Sequence, residues 1–152
     1  MSALALAYSL MRWTPEPVTE PAPVAIGSEV ELPDPRYDSN VSIEETLLER
    51  RSIREYSGEP LTLQEVSQLL WAAQGITDPR AFRTAPSAGG LYPLEIYVVV
   101  GDVENLDVGV YKYSPQEHNL VKVLDGDKKD ELAAAALGQT WVKEAAIDIV
   151  IT

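Results

Sequence analysis

The sequence predicts one domain in which helices and strands share a single core. Three observations predict it. Two Ser- or Thr-led capping boxes open helices, a pair of apolar runs around a polar turn forms a hairpin, and two further apolar runs read as buried strands. At 152 residues and 45% hydrophobic composition, the chain is long enough to bury such a core.

Residues 1–13 suit a short helix whose Leu4, Leu6, Leu10 and Trp13 pack on another element or subunit. From Thr14 to Asp38 the character changes. Six of the eleven prolines fall there, with Arg36 alone against six carboxylates. Proline lacks an N–H and disfavours helix before it, so residues 1–41 read as a helix followed by an acidic, Pro-rich extended arm.

Residues 42–152 form the second unit. Ser42-Ile43-Glu44-Glu45 caps a helix running to about Arg50. Thr62-Leu63-Gln64-Glu65 opens a longer one, with Leu63, Val66, Leu69, Leu70 and Ala73 at helical spacing and Gly75 as its stop. Tyr92 to Val100 reads as a buried strand. Val108–Tyr113 and Leu120–Leu124 make the hairpin, and Asp127 caps a helix closed by Gly138. A helical turn over Trp141–Ala145 precedes the apolar run Ala146–Thr152, expected inside a sheet covered on both faces. A chain stopping on such a strand reads as incomplete at its C-terminus.

Composition excludes several functions. A net charge of −12 opposes binding to nucleic acid or to an anionic membrane. With no cysteine, thiolate metal sites and cysteine nucleophiles lose their residues, and the single histidine leaves little room for a histidine metal site or a Ser-His-Asp triad. No run approaches the roughly 20 apolar residues of a membrane helix, and no signal peptide is evident, so the protein is expected in the cytoplasm.

Against the acidic background, five of seven arginines lie between positions 50 and 83. Arg50, Arg51, Ser52 and Arg54 offer paired N–H donors and a hydroxyl, the donor set a phosphate needs. The plainer alternatives are a solvated basic helix end, favoured by the helix dipole, or a kinase-substrate sequence. Pro86-Ser87-Ala88-Gly89-Gly90 is a small-residue turn before a strand. It is not GxGxxG and opens no helix, which disfavours a Rossmann site. A plain loop is the alternative; a turn this bare also lets backbone N–H groups reach a flat ligand. His118 reads as structural or exposed. Lys112 and Tyr113 are adjacent in a strand and face opposite ways, so they cannot readily act together.

The stretches Leu48-Glu49-Arg50-Arg51-Ser52-Ile53-Arg54-Glu55-Tyr56 and Arg83-Thr84-Ala85-Pro86-Ser87-Ala88-Gly89-Gly90-Leu91-Tyr92-Pro93-Leu94-Glu95-Ile96-Tyr97 resemble the flavin-dependent nitroreductase superfamily, and within it the SagB-type dehydrogenases. The resemblance spans residues 42–152. It implies an α+β fold with a mostly antiparallel central sheet flanked by helices, and a homodimer with FMN at the subunit interface. Carried over, Arg50, Arg51, Ser52 and Arg54 would hold the FMN phosphate and ribityl chain, and Pro86, Ser87, Ala88, Gly89 and Gly90 would lie against the ring. Family members continue for roughly 60–80 residues more, a span that suits the rest of such a domain. The Lys-Tyr pair linked to azoline oxidation would lie there, so no catalytic residue is assigned. Two substrate classes follow: thiazoline or oxazoline rings of a modified peptide, with a cyclodehydratase partner, or nitroaromatics and quinones reduced at the expense of NAD(P)H. A non-catalytic flavin-binding module is a third reading.

Overall fold

The structure is a computed structural model, and it describes residues 27–152. The expected helix at 1–13 and most of the Pro-rich arm lie outside the described residues.

The second capping box forms in full. Thr62 accepts the Glu65 N–H while the Glu65 carboxylate accepts the Thr62 N–H at 2.8 Å, opening α2 (Leu63–Gln74). At α1 (Ile43–Glu49) only half of the box closes: Ser42 Oγ accepts the Glu45 N–H at 3.1 Å. Gly75 ends α2 with φ −65°, so it supplies no left-handed turn. It is needed for space instead, because a Cβ there would lie 2.1 Å from the Trp71 ring.

Five strands, β1 (Glu29–Glu31), β2 (Ile96–Val100), β3 (Gly109–Ser114), β4 (Asn119–Asp125) and β5 (Ile147–Ile151), form one antiparallel sheet ordered β1-β4-β3-β2-β5. The remaining helices are α3 (Lys129–Ala135) and α4 (Thr140–Glu144). This is the α+β architecture, an antiparallel sheet with helices, that the resemblance implies. The hairpin β3–β4 carries a bulge between Val110 and Tyr111.

Alternation along the strands divides the side chains between two faces. Ile96, Val98 and Val100 of β2, Tyr111 and Tyr113 of β3 and Leu120 of β4 form the core with Val66 and Leu70 of α2. Val99 and Val110 point the other way and are buried too, so the sheet is covered on both sides around β2 and β3.

Three expectations need correction. The strand expected from Tyr92 begins only at Ile96: Tyr92 takes φ +43° and Pro93 follows, which together turn the chain before it can pair. Among the described residues, the run at 147–151 is bonded to β2 alone and stands at one end of the sheet, with its residues half-buried or exposed. Leu69 sits at helical spacing on α2 yet is 47% exposed. The described part of the arm contributes β1, whose Val30 packs against the core.

Asp148 on β5 is half-buried, with Oδ2 buried and unbonded. Burial pushes its carboxyl up to about 6, the Lys129 charge opposing. An acid with a raised folded-state pKa destabilises the fold when ionised. Stability should therefore rise as pH falls from above 6 towards 3.8, the ordinary value, and level off below it. Asp148→Asn should remove this dependence and raise the urea midpoint at pH 7.5, leaving the midpoint at low pH nearly unchanged. In the core, Leu70→Ala should cost about 2–5 kcal/mol in urea unfolding, since Leu70 is fully buried.

Candidate flavin and ligand site

Arg50 caps the C-terminal end of α1, its N–H donating to the Thr46 carbonyl at 2.9 Å. Its side chain makes no ion pair or hydrogen bond among the described residues. Arg51 folds back: Nη1 donates to the carbonyls of Leu48 at 2.8 Å and Arg50 at 2.7 Å, placing a cation on the negative end of the helix. Ser52 is exposed. Arg54 lies over the Trp141 ring of α4, 5.1 Å from its centroid. Stacking engages the face of the guanidinium and leaves its N–H edge available. Trp141 had no signal in the sequence as a partner of this cluster.

The turn at 86–90 forms a short 3₁₀ turn over Ala88–Gly90. Gly89 and Gly90 have φ of +65° and +66°, a region that L side chains rarely adopt. Nothing lies within 4 Å of where a Cβ on Gly90 would stand, so the outer side of the turn is open backbone. Ser87 Oγ accepts the Tyr92 N–H at 2.9 Å and ties the turn closed. Among the described residues, no hydrogen bond or ion pair joins this turn to the arginines at 50–54.

The loop before the turn builds a cavity of about 520 Å³. Arg83 stacks on Tyr92 at 4.7 Å, and its Nη1 donates to Gln74 Oε1 at 3.3 Å. Across the opening, Lys112 pairs with Glu95 at 2.6 Å. Tyr113, next to Lys112 on β3, is buried, yet both residues line this cavity despite strand alternation; burial pushes the Tyr113 hydroxyl up to about 12 while the Arg83 charge pulls it down. Arg83 belongs to the arginine-rich window of the sequence, but its loop gave no sign that it would wall a cavity.

His118 is structural. Its Nδ1 accepts from the Tyr113 hydroxyl at 2.9 Å, and its Nε2 lies 2.8 Å from Ser67 Oγ. Ser67 donates to the Pro33 carbonyl at 2.5 Å, which leaves Ser67 to accept from Nε2–H. The chain of bonds joins the arm, α2 and the hairpin turn. With Ser67 fully buried, it offers no nucleophile to a substrate.

A family model described as the nitroreductase family matches residues 47–152. The chain belongs to the nitroreductase family. Among curated relatives, this nitroreductase-family chain is 50% identical over 123 residues to the candidate nitroreductase MJ1384 of Methanocaldococcus jannaschii, covering 81% of this chain and 61% of that protein. It is 28% identical over 120 residues to the trifolitoxin operon protein TfxC of Rhizobium leguminosarum bv. trifolii, covering 69% of this chain and 34% of that protein. The chain thus spans less than two thirds of either relative. The crystal structure of a candidate nitroreductase from Ralstonia eutropha superposes with TM-score 0.68 at 33% identity, over 81% of this chain and 54% of that one. One from Anabaena variabilis shares the fold, with TM-score 0.61 at 24% identity over 83% of this chain and 27% of that one.

Proposed function

We propose that the chain forms the FMN-binding part of an oxidoreductase. Arg50, Arg51, Ser52 and Arg54 hold the phosphate and ribityl chain, and Pro86 to Gly90 lie against the ring. The observation that carries this reading is the turn itself: two left-handed glycines, held shut by Ser87, present open backbone with room for a flat ring. The donor set at 50–54 fits a phosphate, since the Arg50 guanidinium is uncommitted and Arg54 keeps its edge. When bound, the flavin would supply the redox chemistry; the protein binds, orients and sets the local field.

Two further features support a homodimer with the cofactor at its interface. Among the described residues, the two stretches make no polar contact with one another. Beside them, Ile43, Leu47, Leu48 and Ile53 stand 68–74% exposed, an apolar surface that a second copy would cover. We retain residues 42–152 as the flavin-binding unit, with the described part of the arm as its edge strand. The acidic charge and the absence of cysteine favour the cytoplasm; among the described residues, no helix is long and apolar enough to cross a membrane.

For substrate, the Pro86–Glu95 motif and the likeness to TfxC favour the SagB-type branch. In that branch the enzyme oxidises thiazoline or oxazoline rings of a modified peptide beside a cyclodehydratase. The 50% identity to MJ1384 favours the second reading, an NAD(P)H-dependent reductase of nitroaromatics or quinones.

Arg50→Ala combined with Arg54→Ala should weaken FMN binding, each lost charged hydrogen bond costing about 1.5–3 kcal/mol. Isothermal titration reads this directly, with circular dichroism to confirm the fold. Unchanged affinity would remove the phosphate assignment. Loss of the visible flavin absorbance on adding NAD(P)H would favour the reductase reading, and silence towards both NAD(P)H and azoline peptides would leave a binding module.

A further inference from the structure

We propose that the cavity walled by Arg83 is a second ligand site, taking a carboxylate joined to an apolar or aromatic body. It is separate from the arginines at 50–54.

No carboxylate among the described residues pairs with Arg83, and its Nε is buried without an acceptor. Glu95 lines the same cavity but is bound by Lys112 at 2.6 Å. Glu29 also lines it, entering from the edge strand β1, where its carboxylate receives the Asn119 amide at 3.5 Å. Glu29 is thus a carboxylate on the wall with no cation partner among the described residues, yet it makes no ion pair with Arg83. No direct counter-ion restores the solvation the guanidinium loses in this partly closed cavity. An incoming anion would restore it.

Geometry narrows the class of anion. Tyr92 beneath the guanidinium and Gln74 at Nη1 fix its plane and occupy one corner. Nη2 has no acceptor among the described residues and is the N–H group an incoming carboxylate can reach, Nε being enclosed by the protein. Beyond the charge, the wall continues through Leu94, Val121 and Val123, which a small inorganic anion would leave uncovered. At about 520 Å³, the cavity is within the roughly 300–1,000 Å³ of small-molecule sites.

The test uses the full chain without flavin, so its failure leaves the flavin reading untouched. Phenylacetate and its neutral isostere phenylacetamide are titrated separately, followed by the backbone amide NMR shifts of assigned residues. Phenylacetate should shift Arg83, Tyr92 and Lys112 saturably and bind at least ten-fold more tightly than the amide. In Arg83→Gln that preference should disappear. Equal binding of acid and amide, shifts mapping away from these residues, or a preference that survives in Arg83→Gln would each overturn the proposal. Inorganic phosphate displacing phenylacetate at equal concentration would overturn the carboxylate assignment in favour of a general anion site. Should Arg83→Gln fail to fold, the acid–amide comparison and shift map on the wild-type chain still decide.

Discussion

One face of α2 pressed onto the antiparallel sheet holds the described molecule together. Val66 and Leu70 reach the strands with no exposed surface, meeting Val98, Tyr111, Tyr113 and Leu120. Each such side chain contributes roughly 1.5–3 kcal/mol by leaving water. Ser67, in the same row, carries the polar counterpart of that packing through His118 and Pro33. Because α2 is anchored at its middle, both of its ends are fixed. The N-terminal end takes the capping box, and the C-terminal end presents Gln74 and Gly75 to the loop that leads into the glycine turn.

Fixed ends explain where chemistry can reside. Thr84 bonds back to α2 and to Gly75, and Ser87 bonds forward to Tyr92, so the loop between α2 and β2 is pinned at both sides. Between them Gly89 and Gly90 present bare backbone, with the exposed Leu91 beside them. The arginines at 50–54 are the opposite case. They lie on an exposed segment whose apolar residues pack on nothing else in the described chain, and only the Arg54–Trp141 stack joins them to the body. One half of the proposed cofactor site is rigid, and the other is placed by whatever covers α1.

Much of this was legible in the sequence. Capping at Thr62, helical spacing on α2 and the hairpin are local signals, and the structure keeps them. Sheet order is not local. The 147–151 run is apolar enough for an inner strand, yet among the described residues it pairs only with β2, and no residue within it encodes that partner. Tyr92 misled for a local reason, since its left-handed backbone is imposed by the Ser87 tie rather than by its own preference. The arginine cluster and the glycine turn were readable as donor chemistry. The cavity at Arg83 was not, because Gln74, Tyr92 and Lys112 meet only after α2 and β3 have packed.

We propose that this chain recognises FMN by its phosphate as well as by its ring. Titration with FMN and with riboflavin in parallel, followed by visible difference spectra, tests it most directly. The account predicts saturable shifts of the flavin bands with FMN, and riboflavin weaker by at least ten-fold, about 1.4 kcal/mol. Equal binding of the two would contradict the arginine assignment, and unperturbed flavin bands with both would contradict the account as a whole.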